Sequence, residues 1–263
     1  MIRENVLREK IDNGEPTVAT RIWSTNPFVT ELVGVSGNFD YLEFAAEYAA
    51  FSQIDLENIC RAAELYGMGT IIKLDYQNRG YVAQKAMAAG FQGIMFTDHE
   101  TAEEVRESIR LTTPATPECG GKFGYPMRRF IGAQSHVSPM THAERVKKIV
   151  RCFMIEKVSS LNQIDEICSV PGVDMVQFGS GDWGMNQGFD RGNRPEECKE
   201  AERRMIKAAL AHGVRPRCEI HSAKEAEYYK KLGVRDFCLN DEISCLRDFW
   251  NGEGKKLREI SVS

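Results

Sequence analysis

Two carboxylates stand out because each closely follows a strongly apolar run. Glu156 follows Phe-Met-Ile, and Asp182 lies in Gly-Ser-Gly-Asp after Val-Gln-Phe. A carboxylate at the end of an apolar strand must be paired, protonated or bound to a metal ion, because an isolated buried charge is costly. Either acid alone is more simply a structural ion pair or a loop cap. On adjacent strand ends, the pair predicts a site for a hard divalent cation such as Mg²⁺.

Further polar residues fall at the ends of other apolar runs. A buried lysine such as Lys73 can serve as a Schiff-base nucleophile, although an ion pair with Glu47 is its commoner role. Tyr48 is more often a wall residue than a catalyst, and each histidine is more often a surface or capping residue. Among the histidines, His221 has the best position for a base. The strand-end residues are Arg21, Glu47, Tyr48, Lys73, Asp75, Asp98, His99, Glu219 and His221.

Eight short apolar runs alternate with helical patterns along the chain. Near-continuous apolar runs are typical of parallel strands that are buried on both faces. Capping boxes at Thr101/Glu104, Thr141/Glu144 and Ser222/Glu225 predict three helix starts, and the longest helix is predicted over Pro195–His212. The predicted strands are Thr17–Ser24, Phe39–Ala45, Thr70–Asp75, Gly93–Asp98, Arg151–Lys157, Val173–Gly179, Arg215–Ile220 and Asp236–Asn240.

This alternation predicts an α/β fold, a (β/α)8 TIM barrel formed as a single domain over residues 1–263. A doubly wound open sheet is the main rival, but no G-x-G-x-x-G follows the first strand. In a barrel the active site lies at the C-terminal ends of the strands, where the polar residues above fall. The Pro- and Gly-rich stretch 112–140 is long enough to be functional. We expect Gly120–Arg129 to close over the barrel mouth, with Arg128 and Arg129 facing an acidic substrate.

Composition excludes several functional classes. The chain has 34 Lys and Arg against 38 Asp and Glu, a net charge of −4, which argues against a nucleic-acid partner. No apolar run reaches the length of about 20 residues that a membrane span needs, and the N-terminus lacks the apolar core of a secretory signal. Eight cysteines without C-x-x-C predict reduced, mostly buried thiols. We therefore expect a cytoplasmic protein.

The two acids also carry a resemblance to a known family. The segments MIE and PGVDMVQFGSGDWGMNQG, whose acids Glu156 and Asp182 stand 26 residues apart, resemble the QIE and GVDGVFIGPxDLSxxxG segments of the HpcH/HpaI aldolase family. LREKIDNGEPTVATRI, FDYLEFAAEYA, AMAAGFQGIMF and PECGGKFGYPMRRF resemble further segments of that family. Together these stretches extend over nearly the whole chain.

The resemblance implies a metal-dependent carbon–carbon lyase that acts on a 2-oxo acid through a pyruvate enolate. Glu156 and Asp182 would bind a divalent cation (Mg, Mn or Co), which stabilises the developing negative charge. The substrate would be bound by the backbone amides of Gly179, Ser180 and Gly181, with Trp183 and Arg21 also in the pocket. It also implies a homo-oligomer, a hexamer, with the pocket completed across a subunit interface.

Several positions depart from the family pattern. Tyr48 replaces the family's histidine, and Ala45 replaces the aspartate that partners it. Lys73 stands in place of an arginine, Ser180 in place of a proline and Trp183 in place of a leucine. Tyrosine is a poorer base than histidine at neutral pH, and lysine lacks the planar fork of arginine. The proposed metal ligands of the family are therefore retained, while the residues that transfer the proton are replaced.

The sequence thus predicts a metal-dependent aldolase with Lys73, Tyr48 and Glu47 as its catalytic side chains. One alternative is another metal–enolate reaction on the same scaffold, such as oxaloacetate decarboxylation. The second alternative is a non-catalytic protein that binds 2-oxo acids.

Overall fold

The computed structural model describes residues 4–126, 128–129 and 137–262. Eight parallel strands close into a barrel in the order of the chain, with the last strand paired to the first. This confirms the predicted (β/α)8 barrel. The strands are β1 (Thr17–Ile22), β2 (Tyr41–Ala45), β3 (Gly69–Leu74), β4 (Gly93–Phe96), β5 (Val150–Ile155), β6 (Met175–Phe178), β7 (Arg215–Ile220) and β8 (Asp236–Asp241).

The helices form the outer layer of the barrel and return the chain to the N-terminal end of the next strand. They are α1 (Val6–Asp12), α2 (Pro27–Val35), α3 (Gln53–Leu65), α4 (Tyr81–Ala89), α5 (Ala102–Leu111), α6 (Pro139–Lys147), α7 (Val158–Asn162), α8 (Ile164–Cys168), α9 (Ser180–Asn186), α10 (Pro195–Ala211), α11 (Ala226–Lys231), α12 (Glu242–Phe249) and α13 (Lys255–Val262).

One of the three predicted capping boxes is confirmed, and two are wrong. Thr101 and Glu104 cap α5 reciprocally. At α6 the cap is Ser138, because the following proline has a backbone φ already suited to the first helical position. Ser222 and Glu225 do hydrogen-bond each other, but within a turn, and α11 begins only after Glu225.

The barrel interior holds a layer of apolar side chains and a buried set of charges. Arg217 and Glu43, both fully buried, form an ion pair at 2.7 Å across the barrel. Arg217 also donates to the Tyr41 hydroxyl at 2.7 Å and to Gln177. The other Glu43 oxygen accepts from Arg21 Nε at 2.6 Å. We call Arg21, Glu43, Arg217 and Glu219 the interior network.

The expectation that Gly120–Arg129 closes the barrel mouth is wrong for the described part of that segment. Arg128 pairs with Glu57 of α3 at 2.5 Å, and Arg129 pairs with Glu64 in the last turn of the same helix. Arg129 also donates to the Ala89 carbonyl at the end of α4. The segment therefore packs on the outer helical layer, because carboxylates there neutralise both arginines.

The C-terminal arm, which consists of α12, a π-helical turn and α13, packs little against the barrel. Its apolar side chains are exposed, including Phe249, Trp250, Leu257 and Ile260. Among the described helices, none has the length and apolarity that crossing a membrane requires. All eight cysteines are free, and six of them are buried, as expected for reduced thiols.

Candidate active site

A cavity of about 590 Å³ opens at the C-terminal ends of the strands. It brings together seven of the predicted site residues from β1, β2, β3 and the segment after β6. The lining also includes residues that the sequence did not single out, from the segment before α10, from α10 and from α11. The cavity is lined by Arg21, Tyr48, Lys73, Met154, Phe178, Gly179, Ser180, Gly181, Asp182, Arg191, Gly192, Pro195, Cys198, Lys199, Glu202, Glu219, His221, Glu225 and Tyr229.

Glu156 lies at the end of β5 and is almost completely buried. Its Oε1 accepts a hydrogen bond from the backbone N–H of Asp98 at 2.8 Å, and Asp98 has a positive φ of 60°. Burial raises the pKa of Glu156 to about 7, and the charges of Asp98 and Asp182 act in the same direction, outweighing the Asp98 hydrogen bond and Lys73. The Asp98 hydrogen bond and the charge of Lys73 therefore compensate only part of the free energy needed to bury the Glu156 carboxylate.

Gly179 connects Glu156 to the cavity. A Cβ atom at this position would lie 2.6 Å from Glu156 Oε2, so only glycine leaves room for the carboxylate. Three residues later, Asp182 stands in the first turn of α9 and lines the cavity. The first amide groups of a helix have no partner within it, so the backbone of this turn is available to an anionic ligand.

The donor set of Glu156 and Asp182 fits a divalent cation. Within the described part of the chain, no Lys, Arg or His nitrogen lies within 4 Å of either carboxylate; Lys157 instead pairs with Asp98 at 2.6 Å. The described residues contain no cluster of three or more His, Cys, Asp or Glu arranged for a metal. Two carboxylates leave open positions for water and substrate, as Mg²⁺ sites commonly do.

The opposite wall carries Lys73, Glu47 and Tyr48. Lys73 Nζ pairs with Glu47 Oε2 at 2.6 Å and donates to the Tyr48 hydroxyl at 3.1 Å. Burial opposes the ammonium charge, but the interactions of the ammonium group with its neighbours, chiefly Glu47, together outweigh burial and raise the pKa of Lys73 above its ordinary value. Lys73 is therefore a fixed cation, which disfavours the Schiff-base role.

Tyr48 stacks on Trp23, with ring centroids 5.1 Å apart. Burial raises the pKa of Tyr48 to about 12, although the charge of Lys73 acts in the opposite direction. The hydroxyl is therefore protonated at neutral pH and can donate a hydrogen bond. Trp23 was not identified from the sequence, although its place directly after β1 was a usable signal.

Arg21 joins the cavity to the interior network. Its two terminal nitrogens bind both oxygens of Glu219, at 3.0 and 2.7 Å. Burial opposes the charge of Glu43, but Arg21, Arg217 and Lys73 together lower the pKa of Glu43 to about 2. Arg21 is thus held in place by two carboxylates at the cavity wall.

Trp183 does not line the cavity. It is buried and packs its ring against Phe178 and Phe189. This placement favours a packing role under α9 over the predicted contact with substrate. The position of Trp183 next to Asp182 in the sequence does not determine the orientation of the tryptophan ring, because the ring packs on Phe189 in the following loop.

The family model for HpcH/HpaI aldolase/citrate lyase matches residues 49–234, well over half of the chain. The chain belongs to this family. An HpcH/HpaI aldolase/citrate lyase family protein from Burkholderia cenocepacia J2315 shares the fold, with a TM-score of 0.85 and 21% identity over 97% of this chain and 99% of that one.

Two relatives of this family member carry aldolase names. The 4-hydroxy-4-methyl-2-oxoglutarate aldolase tasA of Hapsidospora irregularis is 29% identical, over 80% of this chain and 77% of its own length. The hydroxypyruvate/pyruvate aldolase of Delftia acidovorans (strain DSM 14801 / SPH-1) is 24% identical, over 92% and 88%. The family and these relatives support an enzyme of the aldolase type.

Proposed function

We propose that this protein is a divalent-metal-dependent carbon–carbon lyase that cleaves a 4-hydroxy-2-oxo acid to pyruvate and an aldehyde. The observation that carries the proposal is the pair Glu156 and Asp182. Asp182 lines the cavity, Glu156 lies against Gly179 of the cavity wall, and neither carboxylate has a cationic partner within 4 Å among the described residues. Nearly every other buried charge at this end of the barrel has an opposite charge beside it.

Glu156 and Asp182 are the proposed ligands of the metal, with Mg²⁺, Mn²⁺ and Co²⁺ as the candidates. When bound, such a cation supplies Lewis-acid stabilisation of the negative charge that develops on the substrate during cleavage. The protein itself contributes the position and orientation of the two carboxylates. Asp98 orients Glu156 through its backbone N–H, and Gly179 leaves the space in which that carboxylate fits.

The remaining residues bind and orient the substrate. In this proposal the amides of Ser180 and Gly181 hold the substrate carboxylate, because a glycine-rich turn presents free N–H groups. The predicted use of the Gly179 amide is wrong, since that N–H donates to the Ile155 carbonyl at 3.1 Å. Lys73 places its positive charge beside a substrate oxygen, and Glu47 fixes the lysine in position. The Tyr48 hydroxyl, protonated at neutral pH, donates a hydrogen bond.

Oxaloacetate decarboxylation is a second candidate because of the state of Tyr48. Retro-aldol cleavage requires a base to remove the hydroxyl proton, and a tyrosine with a pKa near 12 is a poor one at neutral pH. Loss of CO₂ from oxaloacetate also generates a pyruvate enolate, yet no proton has to be removed for that bond to break. Comparing the two substrates on one protein separates these reactions.

The test measures pyruvate release from 4-hydroxy-2-oxo acids and from oxaloacetate with Mg²⁺, Mn²⁺ or Co²⁺, together with exchange of the C3 hydrogens of pyruvate. We expect metal-dependent turnover that Glu156→Gln lowers by about 10³-fold, since Lewis-acid stabilisation is worth several kcal/mol. The matched control is Glu166→Gln, the same change on an exposed helical position. Turnover that persists after complete chelation would contradict the proposal. A pure binding protein would show neither turnover nor exchange.

We also propose that the chain forms a homo-oligomer through its C-terminal arm. The arm exposes a series of apolar side chains, and burial of such a patch against a second copy removes it from water. Family resemblance suggests a hexamer. Light scattering on the full chain should give a mass that is a multiple of 29.7 kDa. Phe249→Glu with Trp250→Glu should lower that mass, and a monomeric parent would contradict the proposal.

A further inference from the structure

The cavity contains one of the four described histidines, and that residue is His221. The family's histidine is absent from its usual position, which Tyr48 occupies. A reaction that removes a hydroxyl proton at neutral pH needs a base whose pKa is close to neutrality, and histidine is the usual one. The positions of the other three described histidines decide whether any of them can reach the substrate.

These three are held away from the cavity by their partners. His99 is buried, and its ring nitrogens bond the Thr97 carbonyl and the Ser108 hydroxyl at 2.7 and 2.6 Å. His142 bonds the Gly124 carbonyl on the outer loop. His212 follows α10, at the N-terminal end of the barrel, and contacts Asp165 at 3.0 Å.

Four other titratable side chains of the cavity are already engaged. Lys73 and Tyr48 retain their protons at neutral pH, for the reasons given above. Glu219 is bound by both terminal nitrogens of Arg21. Glu202 accepts a hydrogen bond from Tyr229 at 3.0 Å, and burial raises its pKa.

His221 directly follows β7, which pairs with β6 in the barrel. Its backbone N–H donates to Glu225 Oε2 at 3.1 Å, so the carboxylate holds this turn while the imidazole remains exposed at the cavity. Because β6 leads into Gly179 and Asp182, His221 stands on the wall adjacent to the proposed metal ligands. Lys73 and Tyr48 lie on the far wall, at the ends of β3 and β2.

We propose that His221 is the general acid–base catalyst of the retro-aldol step, in place of the histidine missing at Tyr48. A neutral ring nitrogen of His221 takes the proton of the C4 hydroxyl. The C3–C4 bond breaks, its electron pair forms the enolate of pyruvate, and C4 leaves as the aldehyde carbon. The imidazolium then returns the proton to C3, which gives the pyruvate methyl group. This role rests on the proposed lyase function.

The test compares His221→Gln with His212→Gln, the same change at an exposed histidine at the opposite end of the barrel. We expect His221→Gln to lower kcat/KM for the 4-hydroxy-2-oxo acid by about 10²–10⁴-fold, the usual contribution of a positioned acid–base group. Added imidazole should restore part of that rate. Decarboxylation of oxaloacetate should change much less, because breaking that bond needs no base. Affinity for Mn²⁺, measured by calorimetry, should equal that of the parent.

The pH profile provides a further readout. The parent's kcat/KM should fall on the acid side, where a catalytic base takes up a proton, and His221→Gln should lose that limb. The charged groups that share the cavity with His221 also influence this limb; they are Asp182, Glu202, Glu219, Glu225, Arg191 and Lys199.

Equal kinetics for His221→Gln and His212→Gln would overturn the inference, while turnover by both would leave the lyase function standing. A decarboxylation rate that falls as far as the retro-aldol rate would also overturn it, since His221 would then act on binding. Absence of turnover and of pyruvate exchange in the parent, with every metal, would overturn both proposals.

Discussion

The interior network and the mouth of the barrel both bury carboxylates, but they stabilise them differently. Glu43 lies between Arg21 and Arg217, and these cations keep its pKa near 2 despite complete burial. Glu156 is buried to a similar degree and receives one backbone hydrogen bond, and its pKa rises to about 7. The charge of Glu43 is compensated by two arginines of the same chain. The cost of desolvating Glu156 is only partly compensated.

This difference separates a structural charge from a candidate binding site. A paired buried charge fixes the position of its neighbours, and here it holds Arg21 at the cavity wall. A buried carboxylate without a counterion gains most from a ligand that supplies positive charge. Burial alone therefore does not identify the site, but the balance of charge around each acid does.

Breaking the interior network should have the largest effect on stability. Glu43→Gln leaves Arg21 and Arg217 buried with less compensation, and we expect the free energy of unfolding to fall by about 3–5 kcal/mol. The measurement is urea unfolding at pH 7. The control Glu57→Gln removes a carboxylate whose arginine partners are half exposed, and it should cost about 1 kcal/mol or less. Equal losses of unfolding free energy in Glu43→Gln and Glu57→Gln would show that the interior network is no more important for stability than a surface ion pair.

The two acids should give stability opposite dependences on pH. In the metal-free protein, the pKa of Glu156 rises from 4.5 unfolded to about 7 folded, so the native state binds more protons between these values. The unfolding free energy should therefore fall by up to about 3 kcal/mol as pH rises from 4.5 to 7. For Glu43, with its folded pKa near 2, stability should instead fall as pH drops from 4.5 to 2.

Chemical unfolding across pH 4–8 in the presence of chelator measures this dependence. Glu156→Gln should flatten the decline between pH 4.5 and 7, because the amide does not titrate. A saturating divalent cation should restore stability at pH 7 in the parent. An unchanged slope in Glu156→Gln would assign the decline to another group.

A smaller effect is expected from Gly179→Ala. The added Cβ would lie 2.6 Å from Glu156 Oε2, so the carboxylate must move. We expect a stability loss of about 1–3 kcal/mol, typical of overpacking, and at least a tenfold loss of Mn²⁺ affinity by calorimetry. Gly124→Ala serves as the control, since no atom of the described residues lies within 4 Å of its added Cβ. Retained Mn²⁺ affinity in Gly179→Ala would argue against Glu156 as a ligand.

Lys73 should give no signal at all in a Schiff-base trapping experiment. Its ion pair with Glu47 keeps the amine protonated, and a protonated amine does not attack a carbonyl carbon. Borohydride reduction in the presence of pyruvate should leave the intact mass of the protein unchanged. A stable mass increase that disappears in Lys73→Met would show that the lysine is a nucleophile.

Much of the barrel was predictable because its signals are local. Each strand is a short apolar run, and the predicted boundaries differ from the observed ones by two residues or fewer, as at Thr17–Ile22 against Thr17–Ser24. The expectation that Glu156 and Asp182 follow neighbouring strands came from the same pattern, and β5 does pair with β6. The cap of α6 was missed because both Ser138 and Thr141 have capping chemistry. The start of α11 at Ala226 was missed because this helix begins without a side-chain cap.

The sequence by itself determined the alternation of strands and helices, the family and the order of polar residues around the barrel mouth. Apart from the expected ion pair of Lys73 with Glu47, only the tertiary structure decided which charges neutralise each other. Arg21 meets Glu219 from a strand nearly 200 positions away, and Arg129 meets Glu64 instead of the cavity. Such pairings depend on strand register and on how loops pack, which arise from contacts distant in the chain. Residue type determines the charge that a position can carry. The fold determines whether that charge is paired within the chain or is available to a ligand.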